Sequence, residues 1–231
     1  MAKWADEFTD AVIRNAPAFG LELSVENLQR LTGYYDLVMK WNDRLHLVAP
    51  CSPDEFAVRH ILESLLVLKH LPANATVADV GSGAGLPIIP CLLVRDDLRA
   101  TLFESSQRKG IFLKEALRLV TPPGRTQLVV SRFEDASSPP ADFVTCRALE
   151  RFSEKLPALI KWAQPGTAFA FFVGEALRRQ ILSLFPSAEV ERIPKSDSRF
   201  LVMSRRSSPE GCQKVAGGRQ TTGSRSNQSA L

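Results

Sequence analysis

Two hydrophobic rhythms divide the chain. Up to about residue 72, apolar positions recur at helical spacing; from about residue 75, short apolar runs alternate with helical stretches. In the first part, a segment around Trp4 to Arg14 carries Phe8, Val12 and Ile13 on one side. A second segment starts at Ser24, whose hydroxyl suits a helix N-cap, and runs to about Asp43. Its apolar positions are Val25, Leu28, Leu31, Tyr35, Val38 and Met39, and Gly33 weakens it slightly. A third opens on Ser52-Pro53-Asp54-Glu55, a capping box with proline at the first helical position. Phe56, Ile61, Leu62, Leu65, Leu66 and Leu68 form its buried stripe, which ends near His70 and Pro72.

The second part predicts strands over 77–80, 100–103, 127–130, 142–146, 167–173, 188–193 and 200–204, the last two as a hairpin. Helices are predicted from Leu86, over 107–119, over 150–162 and over 175–185. Such alternation predicts an α/β fold: a mainly parallel sheet with helices on both faces. The expected organisation is an N-terminal helical extension over 1–72, packed on a core over 73–205 because the connection Pro72–Thr76 is short. A tail over 206–231 has almost no apolar content and is expected to be disordered. It reads equally as a basic RNA-contacting arm or as an extension without a role.

The core's first strand, Val77-Ala78-Asp79-Val80, runs into Gly81-Ser82-Gly83-Ala84-Gly85 and then into a helix with Pro87 in its first turn. Alternate glycines permit positive φ and let a ligand touch the backbone. Strand, glycine turn and helix start make a nucleotide-type site at the carboxyl edge of a sheet. The dinucleotide fingerprint requires a glycine where Leu86 stands, and no Lys-Ser/Thr pair follows to make a P-loop. The pattern present, D-x-G-x-G-x-G, resembles the first motif of Rossmann-like class I methyltransferases, which bind S-adenosylmethionine (AdoMet). AdoMet has no phosphates to cradle, and Asp79 can place negative charge near its cationic amino acid end. Glu104 lies roughly 20 residues on, at the tip of the next strand, where a carboxylate can accept from ribose hydroxyls.

The bulk numbers narrow the class further. The 231 residues carry 29 Lys+Arg against 25 Asp+Glu, a net charge of +4. The stretch from Arg205 holds five basic residues and one acid, so the rest is neutral and net charge alone does not indicate a nucleic-acid binder. Four separated cysteines and three scattered histidines form neither a metal cluster nor a disulfide framework. No signal peptide or membrane span is evident, and a cytoplasmic monomer without metal is expected.

Beyond the glycine turn, several motifs resemble one family. Trp41-Asn42 with Leu45 and Leu47, Arg59-His60-Ile61-Leu62-Glu63-Ser64-Leu65, and Asp79 through Pro87 are similar to signatures of the RsmG (glucose-inhibited division protein B) family. So are Glu104-Ser105, Arg108-Lys109, Phe112-Leu113, Arg132-Phe133-Glu134 and Arg147-Ala148. The resemblance spans about Tyr34 to Met203, and the Arg-His-Ile-Leu-x-Ser helix is its most specific part. It departs from the family pattern at His46, Val48, Ile88 and Val173, the last replacing a lysine expected near the RNA face.

The resemblance implies a bacterial enzyme that methylates N7 of a guanine in the 530 loop of 16S ribosomal RNA, acting on RNA or the small ribosomal subunit with AdoMet as cofactor. N7 offers a lone pair and has no proton to lose, so its attack on the methyl group needs alignment and electrostatics rather than a general base. The implied cofactor-binding set is Asp79, Gly81, Gly83, Gly85, Leu86, Glu104, Phe133, Glu134 and Arg147. Arg147 is also the catalytic candidate, in an orienting role; by itself it reads as well as an arginine bridging loops. Glu134 by itself reads as well as a solvated loop acid, and Cys146 as a small core residue. Arg59 and His60 are candidates for contact with RNA or the cofactor, though a lone histidine off the apolar stripe is usually a surface residue; Arg108 and Lys109 are RNA-binding candidates, though a charge run with Lys114 and Arg118 is most often a solvated face. Two other functions fit the same residues: an AdoMet methyltransferase acting on a small molecule, and a non-catalytic RNA-binding assembly protein with a degenerate methyltransferase fold.

Overall fold

A computed structural model describes residues 2–147 and 149–205. The tail expected over 206–231 lies outside the described residues. The N-terminal part is α1 (Ala2–Asn15), α2 (Val25–Leu45) and a longer helix over 53–70. That helix is composite: α3 (Pro53–Phe56), a π-helical segment (Ala57–Leu62), α4 (Glu63–Leu65) and a 3-10 turn (Leu66–His70). Its start is the capping box expected from sequence, with the Ser52 hydroxyl accepting from the Glu55 amide and the Glu55 carboxylate from the Ser52 amide. Ser24 caps α2 with its hydroxyl alone, which accepts from the Asn27 amide.

An aromatic cluster joins these helices. Phe8 stacks on Tyr35 at 4.5 Å between ring centroids, and Phe56 meets Tyr35 edge-on at 5.1 Å. Each such pair contributes about 0.5–1.5 kcal/mol beyond its buried area. Ile13 and Val25, expected on helical stripes, face solvent instead, Val25 at 71% exposure, and so does Ile111 of the predicted 107–119 helix, at 61%. Each sits at the margin of its stripe, where the neighbouring elements leave nothing to cover it. Tyr34, which the periodicity passes over in favour of Tyr35, is fully buried.

The sheet has β1 (Thr76–Val80), β2 (Arg99–Phe103), β3 (Thr126–Val129), β4 (Phe143–Cys146), β5 (Ala168–Gly174), β6 (Glu189–Arg192) and β7 (Arg199–Arg205). Their spatial order is β3-β2-β1-β4-β5-β7-β6. The first five pair in parallel, while β7 runs antiparallel between β5 and β6. The crossover helices are α5 (Ile88–Val94), α6 (Gln107–Ala116), α7 (Phe152–Trp162) and α8 (Glu175–Leu184). The chain runs outward from β1 through β2 to β3 and then returns to place β4 on the other side of β1, so the β1 turn opens onto the crevice where α/β folds bind ligands.

One hydrophobic cluster runs from Phe8, Tyr35 and Phe56 through Ile88 and Leu92 to Phe112, so the N-terminal helices pack on the same sheet face as α5 and α6. A second cluster, with Phe103, Phe133, Leu156 and Phe169, fills the opposite face under α7 and α8. Polar contacts fix the N-terminal helices in register. Trp41 Nε1 donates to Glu115 on α6 at 3.0 Å, and Asn42 Oδ1 accepts from the Val48 amide at 3.0 Å, turning the chain after α2. The Tyr34 hydroxyl donates to the carbonyl of Ala84 at 2.6 Å, inside the glycine turn.

Tyr34→Phe leaves that carbonyl unpaired in a buried place. A loss of about 1–3 kcal/mol in unfolding free energy is expected, read as a lower urea midpoint at unchanged slope.

Candidate active site

The three alternate glycines have positive φ, +73°, +56° and +85° at Gly81, Gly83 and Gly85. Their physical reasons differ. A Cβ on Gly81 would meet Leu149 Cδ1 at 2.9 Å, and one on Gly85 would meet Ile89 Cδ1 at 2.3 Å, so both are held by packing as well as by φ. A Cβ on Gly83 would come no closer than 3.8 Å to the Gly81 carbonyl, so its face is open. The amides of Gly81 and Ser82 both donate to the Phe103 carbonyl, at 2.9 and 3.1 Å, which ties the turn to the end of β2.

A cleft of about 330 Å³ opens over this turn, and Gly81, Gly83, Leu86, Lys109, His60 and Arg147 are among its lining residues. A larger cavity, about 520 Å³, lies at the opposite end of the strands beside Thr76, Asp142 and Thr167. Parallel sheets present ligands at their carboxyl ends, so position rather than size selects the smaller cleft.

Glu104 follows β2 and lines the cleft. Its carboxylate accepts from the Gly83 amide at 2.8 Å and from the Ser106 amide at 2.7 Å, one bond to each oxygen. Each oxygen keeps a second lone pair for a ligand hydroxyl. Asp79 is placed differently from the expectation that it sits near the ligand's cationic end. It is buried beneath the turn and is absent from the residues lining the cleft. Its Oδ1 accepts from the Thr145 hydroxyl at 2.6 Å and its Oδ2 has no partner. Burial pushes its pKa up to about 7; the Ser82 and Thr145 hydroxyls work against the rise, and the Glu104 charge adds to it.

Arg147 follows β4 and is enclosed by the 53–70 helix. Its Nη2 donates to the Arg59 carbonyl and pairs with Glu63 Oε2 at 3.2 Å, and its Nη1 donates to the Ser64 hydroxyl at 3.1 Å. The π-helical segment makes this arrangement available. The Glu63 amide donates to Val58, five residues back, where α-helical geometry would direct it to Arg59. Glu63 also pairs with Arg199 of β7, at 2.7 Å to Oε1 and 3.1 Å to Oε2. Burial pushes the Glu63 carboxyl up and the Arg147 guanidinium down, each opposed by the charge of its partner. The Arg147 guanidinium also lies 5.9 Å from the centroid of the Phe172 ring.

The remaining candidates divide. Lys109 and His60 line the cleft. Phe133 is a core residue, edge-on to Trp162 at 5.7 Å. Glu134 pairs with Lys155 at 3.6 Å beside a narrow groove that adjoins the cleft and shares Gly81, Ser105 and Leu149 with it. Arg59 is exposed and pairs with Glu55, leaving its carbonyl as its contribution to the site. Arg108 points away from the cleft, donating to the Arg44 carbonyl at 3.2 Å. Glu63, Ser64, Thr145 and Tyr34 were not among the sequence candidates. A signal for Glu63 was present, since an acid between Ile61, Leu62 and Leu65 on a buried stripe requires a cationic partner.

The model for the family described as rRNA small subunit methyltransferase G matches residues 27–207. The protein belongs to that family. Curated relatives of the same name agree. The Gluconobacter oxydans protein is 39% identical over 62% of this chain and 70% of its own length. That of Neisseria meningitidis serogroup A is 32% identical over 77% and 81%. The fold matches the crystal structure of M. jannaschii TYW2 in complex with AdoMet, with a TM-score of 0.52 at 17% identity over 63% of this chain and 74% of that one. As a member of the methyltransferase G family, the protein is an AdoMet-dependent methyltransferase of the class I fold. Its own residues fit that cofactor: Gly83 is open to the cleft, and the Glu104 carboxylate lies beside it with acceptor capacity to spare. Among the described residues, no helix is long and apolar enough to cross a membrane, and no group of His, Cys, Asp and Glu is suited to a metal.

Glu63→Gln leaves two guanidiniums facing a neutral amide. A destabilisation on the order of 3 kcal/mol is expected by urea unfolding, and Glu63→Asp should retain more of the stability. Asp79 binds its proton more tightly folded than unfolded, so its contribution to stability falls as pH rises from its unfolded value of 3.8 through about 7. Unfolding of the ligand-free protein should show that slope, and Asp79→Asn should remove it.

Proposed function

We propose that this protein methylates N7 of a guanine in 16S ribosomal RNA, in the 530 loop, within the small ribosomal subunit or its precursor. The observation that carries the reading is the clamp on Arg147. The motif most specific to the family resemblance, Arg59 through Ser64, supplies the carbonyl, carboxylate and hydroxyl that hold this arginine at the mouth of the glycine-turn cleft. The names of the curated relatives supply the small-subunit rRNA.

When bound, AdoMet supplies the methyl group on its sulfonium. The chain's residues do the rest by placement. Glu104 accepts from ribose hydroxyls, and the groove at Phe133 and Glu134 takes the adenine side. Arg147 orients the groups at the reacting end, where its position is set by three partners instead of by solvent. Guanine N7 carries no proton, so no residue need remove one; alignment is the main contribution. Asp79 holds the turn from below through Thr145. Lys109, which lines the cleft, and the exposed Arg59 are basic groups available to RNA phosphates. Arg108 has a lesser part, since it faces another side.

The test is methyl transfer from labelled AdoMet to small subunits isolated from a strain lacking the endogenous enzyme, mapped by chain cleavage at N7-methylguanine. One methylated guanine is expected, absent with Gly83→Arg, whose side chain would fill the open face of the turn. AdoMet binding without transfer to subunits or their assembly intermediates would overturn the ribosomal substrate.

A further inference from the structure

His60 is held in a way that the Arg147 clamp does not require. Its ring lines the cleft and lies against Phe56 at 5.0 Å between centroids, with 56° between the planes. Its Nδ1 is buried and has no hydrogen-bond partner. The ring is therefore fixed by packing on one side, and the polar edge it offers the cleft is Nε2.

The missing partner selects a tautomer. A buried N–H without an acceptor is rarer and costlier than an unpaired lone pair. The proton of a neutral imidazole therefore belongs on Nε2, with the bare lone pair at Nδ1. The ring is neutral because burial and the cations Arg147, Arg59 and Arg199 hold its pKa down, to about 3. The cleft wall thus presents a single uncharged N–H donor.

Its place along the sheet edge says what it can meet. Glu104 follows β2 and Arg147 follows β4, on opposite sides of β1 and its glycine turn. The ribose side is at Glu104, which leaves the β4 side for the reacting end. His60 belongs to that end, because Arg147 bonds the carbonyl of the residue before it and the hydroxyl of Ser64 one turn after it.

At N7, guanine and adenine offer the same nucleophile, and the neighbouring substituent distinguishes them: a carbonyl acceptor in guanine, an amino donor in adenine. A donor set beside N7 accepts the first and opposes the second. We propose that His60 is the base-specificity residue, its Nε2–H donating to O6 of the target guanine. An uncharged donor suits this task beside a cationic sulfonium, and it leaves the N7 lone pair free. The inference rests on the methyl-transfer reading above.

The test uses the full-length chain with small subunits reconstituted from ligated rRNA. The nucleotide that the unsubstituted protein methylates is replaced by inosine, which keeps O6, or by 2-aminopurine, which lacks it. The unsubstituted protein should prefer guanine and inosine over 2-aminopurine by about 10–100-fold in kcat/KM. His60→Phe keeps the ring and its packing on Phe56 but removes the donor. It should lower transfer to guanine by about the same factor and abolish the preference, with AdoMet affinity by calorimetry unchanged. His60→Gln restores an N–H near the Nε2 position and should recover part of the preference. A His60→Phe protein that keeps the preference, or whose loss lies wholly in AdoMet affinity, overturns this inference alone. No transfer by the unsubstituted protein overturns the methyl-transfer reading and this inference with it.

Discussion

A carboxylate with 2% of its side chain exposed stays ionised inside a protein only if cations surround it, and the site depends on that constraint. Glu63 meets it with Arg147 from the end of β4 and Arg199 from β7. Three parts of the chain, the outer two 136 positions apart, are thereby held to one point. The 53–70 helix cannot slide along the sheet without exposing Glu63 or stripping it of a partner. The π-helical segment is the local accommodation, since it frees the Arg59 carbonyl for the arginine that Glu63 retains.

The second support comes from below and beside the turn. Asp79 and Thr145 link β1 to β4, the Phe103 carbonyl links the turn to β2, and the Tyr34 hydroxyl reaches the turn from α2. The turn is therefore stiff where it contacts protein and open at Gly83, where it faces the cleft. A glycine run in isolation would be loose; bonds from four elements set its shape in advance of any ligand, which is how a binding site avoids ordering costs at the moment of binding.

Much of this was legible in the order of residues. The capping box at Ser52, the switch of rhythm near residue 75, the glycine turn and the carboxylate at Glu104 are local signals, and local signals survive in sequence. Less legible was what depends on distant partners. The helical period identifies a stripe, but whether Val25 or Ile111 at its margin is covered depends on elements far along the chain. The π segment could not be read from Ala57–Leu62, because the arginine that uses the freed carbonyl lies 88 positions away. Asp79 fitted a ligand-facing role by motif, yet its carboxyl turned toward Thr145, a residue unrelated to the glycine pattern. Glu134 kept both of its readings: it pairs with Lys155, and it does so at the rim of a groove.

The antiparallel insertion of β7 leaves β6 as the outermost strand on its side of the sheet, with a row of backbone donors and acceptors facing outward. Such a row is a template on which another chain's strand can grow. Here the strand is only Glu189–Arg192, three of its four side chains are charged, and Glu191 is drawn toward Lys69 and His70 at the end of the 53–70 helix. An incoming strand would have to desolvate those charges and break that tie for a ladder of four residues. The edge is thus guarded against aggregation by its brevity and its charge, a protection that a hydrophobic substitution at Glu189 would weaken without touching the glycine-turn cleft.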